Sequence, residues 1–147
     1  LFRNLYVHLG AMHQSNGRGG TSERSWNRAF ANFLFYGDNW MVSIKPWMLI
    51  FKSSSSDLHN GDISHYLGHG RLLAAFKLGD RFSVSLESRN NLESGFSRGM
   101  EEIELSYRLY KHFSLFAQGF SGYGQTLLSY DHYTNALGVG VSFNEWV

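Results

Sequence analysis

Hydrophobic and polar residues alternate along most of the chain in segments of about ten residues. In the first segment, 1–15, the odd positions from Leu5 to Ala11 are apolar, whereas the even positions mix polar, aromatic and glycine residues. A period of two is typical of β-strands that have one apolar face. The pattern recurs to the C-terminal end and predicts about eight strands, the others near 24–36, 40–51, 64–77, 82–87, 102–109, 113–117 and 136–143.

Tight turns alternate with long connections between these segments. Gly37-Asp38-Asn39, Leu78-Gly79-Asp80 and Lys111-His112 are typical of tight turns. The long connections follow Ser15 and lie near 52–62, 90–97 and 122–133. Because tight turns join antiparallel neighbours, we expect an all-β, antiparallel fold in which 1–147 is a single β-barrel domain. The chain begins inside a predicted strand, so we expect an N-terminally truncated barrel.

Two arrangements place one apolar and one charged face on every strand. In a soluble sandwich or barrel the apolar face is the packed interior. In a membrane barrel the apolar face meets lipid and the polar face lines the interior. Aromatic residues near the predicted strand ends favour the membrane arrangement, because such residues form girdles at the bilayer boundary; they are Trp26, Tyr36, Trp40, Tyr107, Tyr110 and Trp146. We therefore predict a transmembrane β-barrel.

Composition narrows the function classes. Aromatic residues make up 16% of the chain and charged residues only 17%, fewer than the roughly 25% usual in soluble domains. A net charge of +1 without a basic block gives no reason to expect nucleic acid as a partner. The chain has no cysteine, which excludes disulfides and thiolate metal sites.

A histidine and a serine stand two residues apart where the first alternating segment ends. Residues at that spacing point to the same face of a strand, so His13 and Ser15 are predicted neighbours. A glycine-rich turn follows, and pairing across it can bring Asn27 of the second segment to the same face. A base, a nucleophile and an amide that orients the base would then be together, which is the arrangement of a hydrolytic triad.

The motifs His13 to Arg18 and Arg24 to Arg28 resemble the catalytic signature of the outer membrane phospholipase A family of Gram-negative bacteria. The likeness extends along essentially the whole chain through Lys45-Pro46-Trp47, Ser121-Gly122-Tyr123-Gly124 and Gly138-Val139-Gly140-Val141. The resemblance implies a twelve-stranded barrel, of which this chain would hold the C-terminal part. It makes Ser15 the nucleophile, His13 the general base and acid, and Asn27 the residue that fixes the imidazole.

The same resemblance implies a calcium-dependent enzyme of the bacterial outer membrane. The expected substrates are acyl esters of phospholipids, at both the sn-1 and sn-2 positions, and of lysophospholipids, and the expected active form is a homodimer. Calcium would be held by the backbone carbonyl of Arg18 and by the side chain of Glu23, at a position where the family has a hydroxyl. Ser22, the adjacent residue, is a further candidate ligand. Gly20 replaces an acidic residue found in some members, which removes a donor from any second calcium site.

Other interpretations of the sequence stay open. A non-catalytic porin-like or adhesin barrel would work through its long loops and need no reactive serine, and a soluble esterase or lipid-binding barrel would need no detergent. His65 and His69 share a face of the predicted fourth strand about 13 Å apart, too far for one metal. Glu102 and Glu104 look like an acid–base pair but fit an interior polar network better. Gly138 and Gly140 lack a following helix, so they are a strand feature.

Overall fold

The computed structural model describes residues 4–50, 60–93 and 97–143. Eight strands follow one another in a single antiparallel sheet with the order β1 to β8. They are β1 (Asn4–Ser15), β2 (Ser25–Tyr36), β3 (Trp40–Leu49), β4 (Gly70–Leu78), β5 (Phe82–Asn90), β6 (Gly99–Tyr110), β7 (Phe113–Tyr123) and β8 (Tyr133–Phe143). A five-residue helix, α1 (Ile63–Leu67), precedes β4, and a 3₁₀ turn (Gly20–Ser22) lies between β1 and β2. The antiparallel all-β prediction and the strand count are confirmed.

Short and long connections alternate as predicted. Three tight turns at one end of the sheet join β2 to β3, β4 to β5 and β6 to β7. All longer connections therefore gather at the opposite end, together with the 3₁₀ turn and α1. The predicted loop from Lys52 to Asp62 lies largely outside the described residues, which begin again at Asn60. Of the predicted loop 90–97, residues 94–96 are likewise outside them, as is Trp146.

The apolar face of the sheet is exposed, even on strands that have a neighbour on both sides. Ile44, Leu72 and Leu86 keep 46%, 47% and 46% of their surface exposed, whereas Ser43 on the opposite face is 4% exposed. A soluble sandwich would bury such aliphatic side chains, because each costs about 1.5–3 kcal/mol when it is left in water. The sheet therefore has the outward-apolar surface of a transmembrane β-barrel.

The inner face carries the charges. Lys45, Arg71 and Arg89 lie directly opposite one another on β3, β4 and β5. Arg71 Nη1 lies 3.5 Å from the Glu87 carboxylate, and Glu87 lies opposite Glu102 on β6. Glu102 thus belongs to the inner polar face, as the sequence predicted.

The strand predicted from residue 64 was wrong over its first residues, because 63–67 form α1. Ile63 and Leu67 are one helical turn apart and only 2% and 3% exposed. Both pack in an aromatic cluster with Trp26, Trp47 and Tyr130, so burial of one helix face outweighs the alternating pattern. Trp26 is itself 5% exposed and faces inward, so its placement in a lipid-facing girdle was also wrong. Across the described ranges, no helix is long and apolar enough to span a bilayer.

Candidate active site

The β1–β2 hairpin brings the three predicted catalytic residues to one exposed face. The two strands pair over twelve residues each, and His13 lies directly opposite Asn27 in the ladder. Ser15, two positions after His13, lies opposite Ser25. Because residues two apart share a face of a strand, Ser15, His13 and Asn27 all point outward. The predicted convergence is present at the end of the sheet that carries the long connections.

A side-chain hydrogen bond joins the histidine and the asparagine. His13 Nδ1 and Asn27 Oδ1 are 2.8 Å apart. A carboxamide oxygen only accepts, so in this bond Nδ1 carries the proton and Nε2 has a free lone pair. The contact fixes both the tautomer and the plane of the ring, which leaves Nε2 able to accept a proton.

The Ser15 hydroxyl is exposed at the end of β1. Within the part of the chain that the structure describes, its hydroxyl makes no hydrogen bond to the imidazole. In enzymes without substrate such nucleophile–base bonds are often long, and they shorten in the complex. An oriented base and a nucleophile thus lie on the same face of β1, two residues apart.

Asn16 organises the connection that follows the serine. Its Oδ1 accepts hydrogen bonds from the backbone N–H groups of Arg18 and Arg24, at 3.2 and 3.1 Å, and its Nδ2 donates to the Ser22 carbonyl at 2.7 Å. Gly17 has φ of 65°, a left-handed conformation that other residues adopt only at a cost. The Asn16 side chain and the left-handed Gly17 therefore hold the connection 16–24 in a compact turn beside Ser15.

The predicted calcium ligands Arg18, Ser22 and Glu23 all lie in this connection. Arg18 is exposed, whereas Ser22 and Glu23 are half-buried. The carbonyls of Thr21 and Glu23 accept from Arg24 Nη1, at 2.9 and 2.8 Å. Glu23 would therefore contribute its carboxylate, Ser22 its hydroxyl and Arg18 its carbonyl, all hard oxygen donors of the kind that calcium prefers. These donors fit calcium chemically, and their assignment as ligands stays a prediction.

The inward face of the same hairpin carries a hydrogen-bonded network that the sequence did not reveal, in which Trp26 and Arg28 are buried and Gln14 is exposed. Gln14 Oε1 accepts from Trp26 Nε1 at 3.0 Å and from Arg28 Nη2 at 2.8 Å. The Arg28 guanidinium stacks on the rings of Trp26 and Trp47, 3.8 and 5.1 Å from their centroids. Gln14 lies between His13 and Ser15, so the network holds the strand that bears both. The sequence indicates the inward face only through strand alternation: Trp26 and Arg28 are the two neighbours of Asn27, so they point to the face opposite it.

The α1 segment covers this network from the loop end. Trp47 Nε1 donates to the Gly68 carbonyl at 2.9 Å, and Asn60 Nδ2 donates to the Ser25 carbonyl at 2.6 Å. The Tyr130 hydroxyl donates to Asp62, and burial together with this carboxylate raises the pKa of Tyr130 above its usual value. The phenol therefore stays a neutral donor and ties the β7–β8 connection to the segment before α1.

His65 and His69 do not occupy a common strand face, so the 13 Å separation inferred from the sequence was wrong. His65 belongs to α1 and His69 follows it. Both rings approach the Glu93 carboxylate of the β5–β6 connection instead. The helical turn at 63–67 is the physical reason, because it shortens the path between the two histidines.

Comparison with known proteins gives one consistent family. The Phospholipase A1 family profile matches residues 1–143. Phospholipase A1 of Escherichia coli K12 is 36% identical over 139 residues, which are 95% of this chain and 46% of that protein. A putative phospholipase A1 of Neisseria meningitidis is 32% identical over 136 residues, 92% of this chain and 35% of the relative. The chain thus spans about half the length, or less, of these relatives.

Solved structures agree with that similarity. The calcium-bound dimer of the outer membrane phospholipase of Salmonella typhi superposes with a TM-score of 0.83 at 35% identity, covering 94% of this chain and 51% of that one. Outer membrane phospholipase A from Escherichia coli gives 0.83 at 35%, covering 96% and 56%. An active-site mutant of the latter, in which asparagine is replaced by alanine, gives 0.84 at 33%, covering 98% and 55%.

Proposed function

The chain belongs to the phospholipase A1 family, and from that premise we propose that it carries the catalytic face of a calcium-dependent outer membrane phospholipase A. The observation that carries the proposal is the 2.8 Å bond between His13 Nδ1 and Asn27 Oδ1, with Ser15 on the same exposed face. The active-site mutant shows that the Escherichia coli enzyme has an asparagine in its active site, which is the residue type that we propose for the orienting position, Asn27. A porin-like or adhesin barrel would need none of these contacts.

The reaction is acyl transfer from an ester to water. His13 Nε2 takes the proton of Ser15 as Oγ attacks the ester carbonyl carbon, which gives a tetrahedral oxyanion. The bond from carbon to the lysolipid oxygen then breaks, and the imidazolium returns its proton to that oxygen. Water attacks the acyl-serine with the same histidine as base, which releases the fatty acid and restores Ser15.

Asn27 holds the ring through both steps but supplies no full negative charge. It accepts from Nδ1–H in the neutral and the protonated imidazole alike, so the ring keeps its position while Nε2 gains and loses a proton. An aspartate would add electrostatic stabilisation of the imidazolium. The proposed enzyme therefore depends more on stabilisation of the oxyanion.

Oxyanion stabilisation would come from the connection that follows Ser15. The N–H of Asn16 already donates to the Arg24 carbonyl at 3.0 Å, which leaves the N–H of Gly17 as the next candidate. Calcium bound by Arg18, Ser22 and Glu23 would supply positive charge beside that oxyanion. Since one connection offers only a few oxygen donors and calcium takes six to eight, further ligands would come from water or from another part of the protein.

The direction in which the triad points supports a phospholipid of the membrane as the substrate. Ser15 and His13 continue the outward face on which Leu9 is 72% exposed. The ester of a bilayer phospholipid lies at the boundary between chains and headgroups, so a triad at the end of a lipid-facing strand can reach it. We infer hydrolysis of phospholipids and lysophospholipids, at the sn-1 and sn-2 positions, by a homodimer in the bacterial outer membrane.

Hydrolysis of a phospholipid in mixed detergent micelles tests the proposal. The natural full-length protein should release fatty acid with calcium and lose most activity with a chelator. Positional analysis of the products of a mixed-chain phospholipid would separate sn-1 from sn-2 cleavage. Calcium-independent release, or no release by the folded protein, would contradict the proposal and favour a passive barrel.

A further inference from the structure

Two histidines and a glutamate lie together at the end of the sheet that carries the long connections. We propose that His65, His69 and Glu93 bind a divalent transition metal of the Zn²⁺ class. These residues come from the segment before β4 and the one after β5, whereas the candidate catalytic residues lie on β1 and β2.

Both histidine side chains approach the Glu93 carboxylate closely. His65 Nδ1 is 2.5 Å from one oxygen of Glu93, and His69 Nε2 is 3.8 Å from the other. In a tetrahedral zinc site with bonds of about 2.0–2.1 Å, neighbouring donors are about 3.3 Å apart. The described residues contain no preformed group of three such side chains at metal-binding distance. Each measured separation nevertheless differs from the tetrahedral value by less than about 1 Å.

Hydrogen bonds hold the backbone around the cluster, and the three side chains are partly exposed. Asn91 is 1% exposed; its Nδ2 donates to the His65 carbonyl at 2.8 Å, and its Oδ1 accepts from the Glu93 N–H at 3.0 Å. This one amide fixes the two segments relative to each other. Leu92 between them has φ of 56°, the only positive φ of a non-glycine among the described residues. Such strain persists where a local shape is held by its surroundings.

The donors select the metal class. Two imidazoles and one carboxylate suit Zn²⁺, Cu²⁺ or Ni²⁺, whereas Ca²⁺ prefers six to eight oxygens. The side chains of His65, His69 and Glu93 are 43%, 44% and 42% exposed, so an ion can enter from water and complete its coordination with water. The site is therefore chemically distinct from the oxygen donors beside Ser15.

Co²⁺ binding to the full-length protein tests the proposal directly. The protein, refolded in detergent, treated with chelator and kept in excess Ca²⁺, is titrated with Co²⁺ and then with Zn²⁺. We expect one Co²⁺ with visible absorption bands of imidazole coordination, displaced by an equimolar amount of Zn²⁺. His65→Gln, His69→Gln and Glu93→Gln should each weaken binding at least tenfold.

His132→Gln is the matched control, because His132 Nδ1 also contacts a carboxylate, Asp131, at 2.8 Å, and no second histidine of the described ranges contacts that carboxylate. This variant should bind Co²⁺ like the wild type. Circular dichroism identifies which of the three variants fold, and only the Co²⁺ affinities of the folded variants are compared with that of the wild type. Wild-type binding weaker than about 100 µM, or binding unchanged in any folded variant of the three, would overturn the proposal whether or not the lipase activity is found.

Discussion

The two faces of the β1–β2 hairpin differ sharply in how their side chains are held. On the outward face, Ser15 and His13 are exposed, and the only described side-chain hydrogen bond among the triad residues joins His13 to Asn27. On the inward face, Trp26 and Arg28 are 5% and 6% exposed, and both donate to Gln14. On β2 the inward residues are thus buried on either side of a half-buried Asn27, whereas on β1 Gln14 is exposed and is held by its two hydrogen bonds.

The difference separates chemistry from support. A triad that must reach a lipid ester cannot be enclosed by packing, so its precision has to come from the backbone that carries it. Gln14 is covalently between His13 and Ser15, and Trp26 and Arg28 flank Asn27 in the same way. Anchoring the inward residues therefore fixes the outward ones. Substitutions of outward residues should reduce activity without changing the free energy of unfolding. Substitutions of inward residues should mainly reduce the free energy of unfolding.

Ser15→Ala tests the outward face with the largest expected effect. Loss of the nucleophile should reduce phospholipid hydrolysis by about 10⁴-fold or more, as for other serine hydrolases. The urea midpoint should not move, because the hydroxyl is exposed and makes no described hydrogen bond. Ser25→Ala, directly opposite in the ladder, is the control and should keep activity within about twofold. Equal loss in both variants would contradict the assignment of the nucleophile.

Trp26→Ala tests the inward face. Removal of a buried indole should cost about 3–5 kcal/mol of stability through lost burial and the cavity that remains. Urea unfolding in micelles, followed by far-ultraviolet circular dichroism, measures the cost. Trp40→Ala, at a half-buried position near the tight turns, should cost less than half as much. A Trp26→Ala protein as stable as the wild type would remove the distinction between the faces.

The outward face could be predicted almost completely from the sequence. The alternating pattern and the spacing of His13, Ser15 and Asn27 determine, through strand geometry alone, which side chains share that face. The three residues come together once the two strands pair with His13 opposite Asn27, and the glycine-rich turn permits this pairing. The exposed aliphatic face was predictable for the same reason. Local periodicity carries this information without any knowledge of distant contacts.

The inward side could not be predicted, because it depends on contacts between residues far apart in the chain. Ile63 and Leu67 become helical by packing on Trp26 and Trp47, and Tyr130 joins them from the β7–β8 connection. Trp26 by itself resembles an interfacial girdle residue. Strand alternation places Trp26 on the face opposite Asn27, and its burial comes from contacts with Gln14, Arg28 and the α1 segment. The prediction that 1–147 forms one domain of a larger barrel stays a prediction.

Asn27→Ala should have a smaller effect than loss of the serine. The imidazole would keep its position on the strand but lose the bond that fixes its tautomer, so we expect kcat to fall by about 10- to 100-fold with little change in KM. The control is Asn135→Ala, since Asn135 is an exposed strand asparagine that accepts from Ser121 at 2.8 Å. An unchanged kcat for Asn27→Ala would show that the contact has no catalytic role.

Glu23→Gln should give the smallest change, confined to calcium. Neutralising one carboxylate donor should weaken Ca²⁺ binding by about tenfold, because the ion loses one full opposite charge. Calorimetric titration measures this independently of turnover, and the urea midpoint should stay constant. Asp131→Asn changes a carboxylate of the β7–β8 connection and should leave calcium affinity unaltered. The proposal that Glu23 is a ligand fails if both variants bind calcium like the wild type.

Covalent labelling of Ser15 tests most directly that the outward face is a hydrolytic site. The full-length protein in micelles is treated with a serine-directed sulfonyl reagent that carries an alkyl chain, and the adduct is located by peptide mass mapping. We expect one adduct, on Ser15, that is absent from Ser15→Ala and forms much more slowly in His13→Ala. No adduct on the folded protein, or labelling of Ser15 at equal speed without His13, would contradict it.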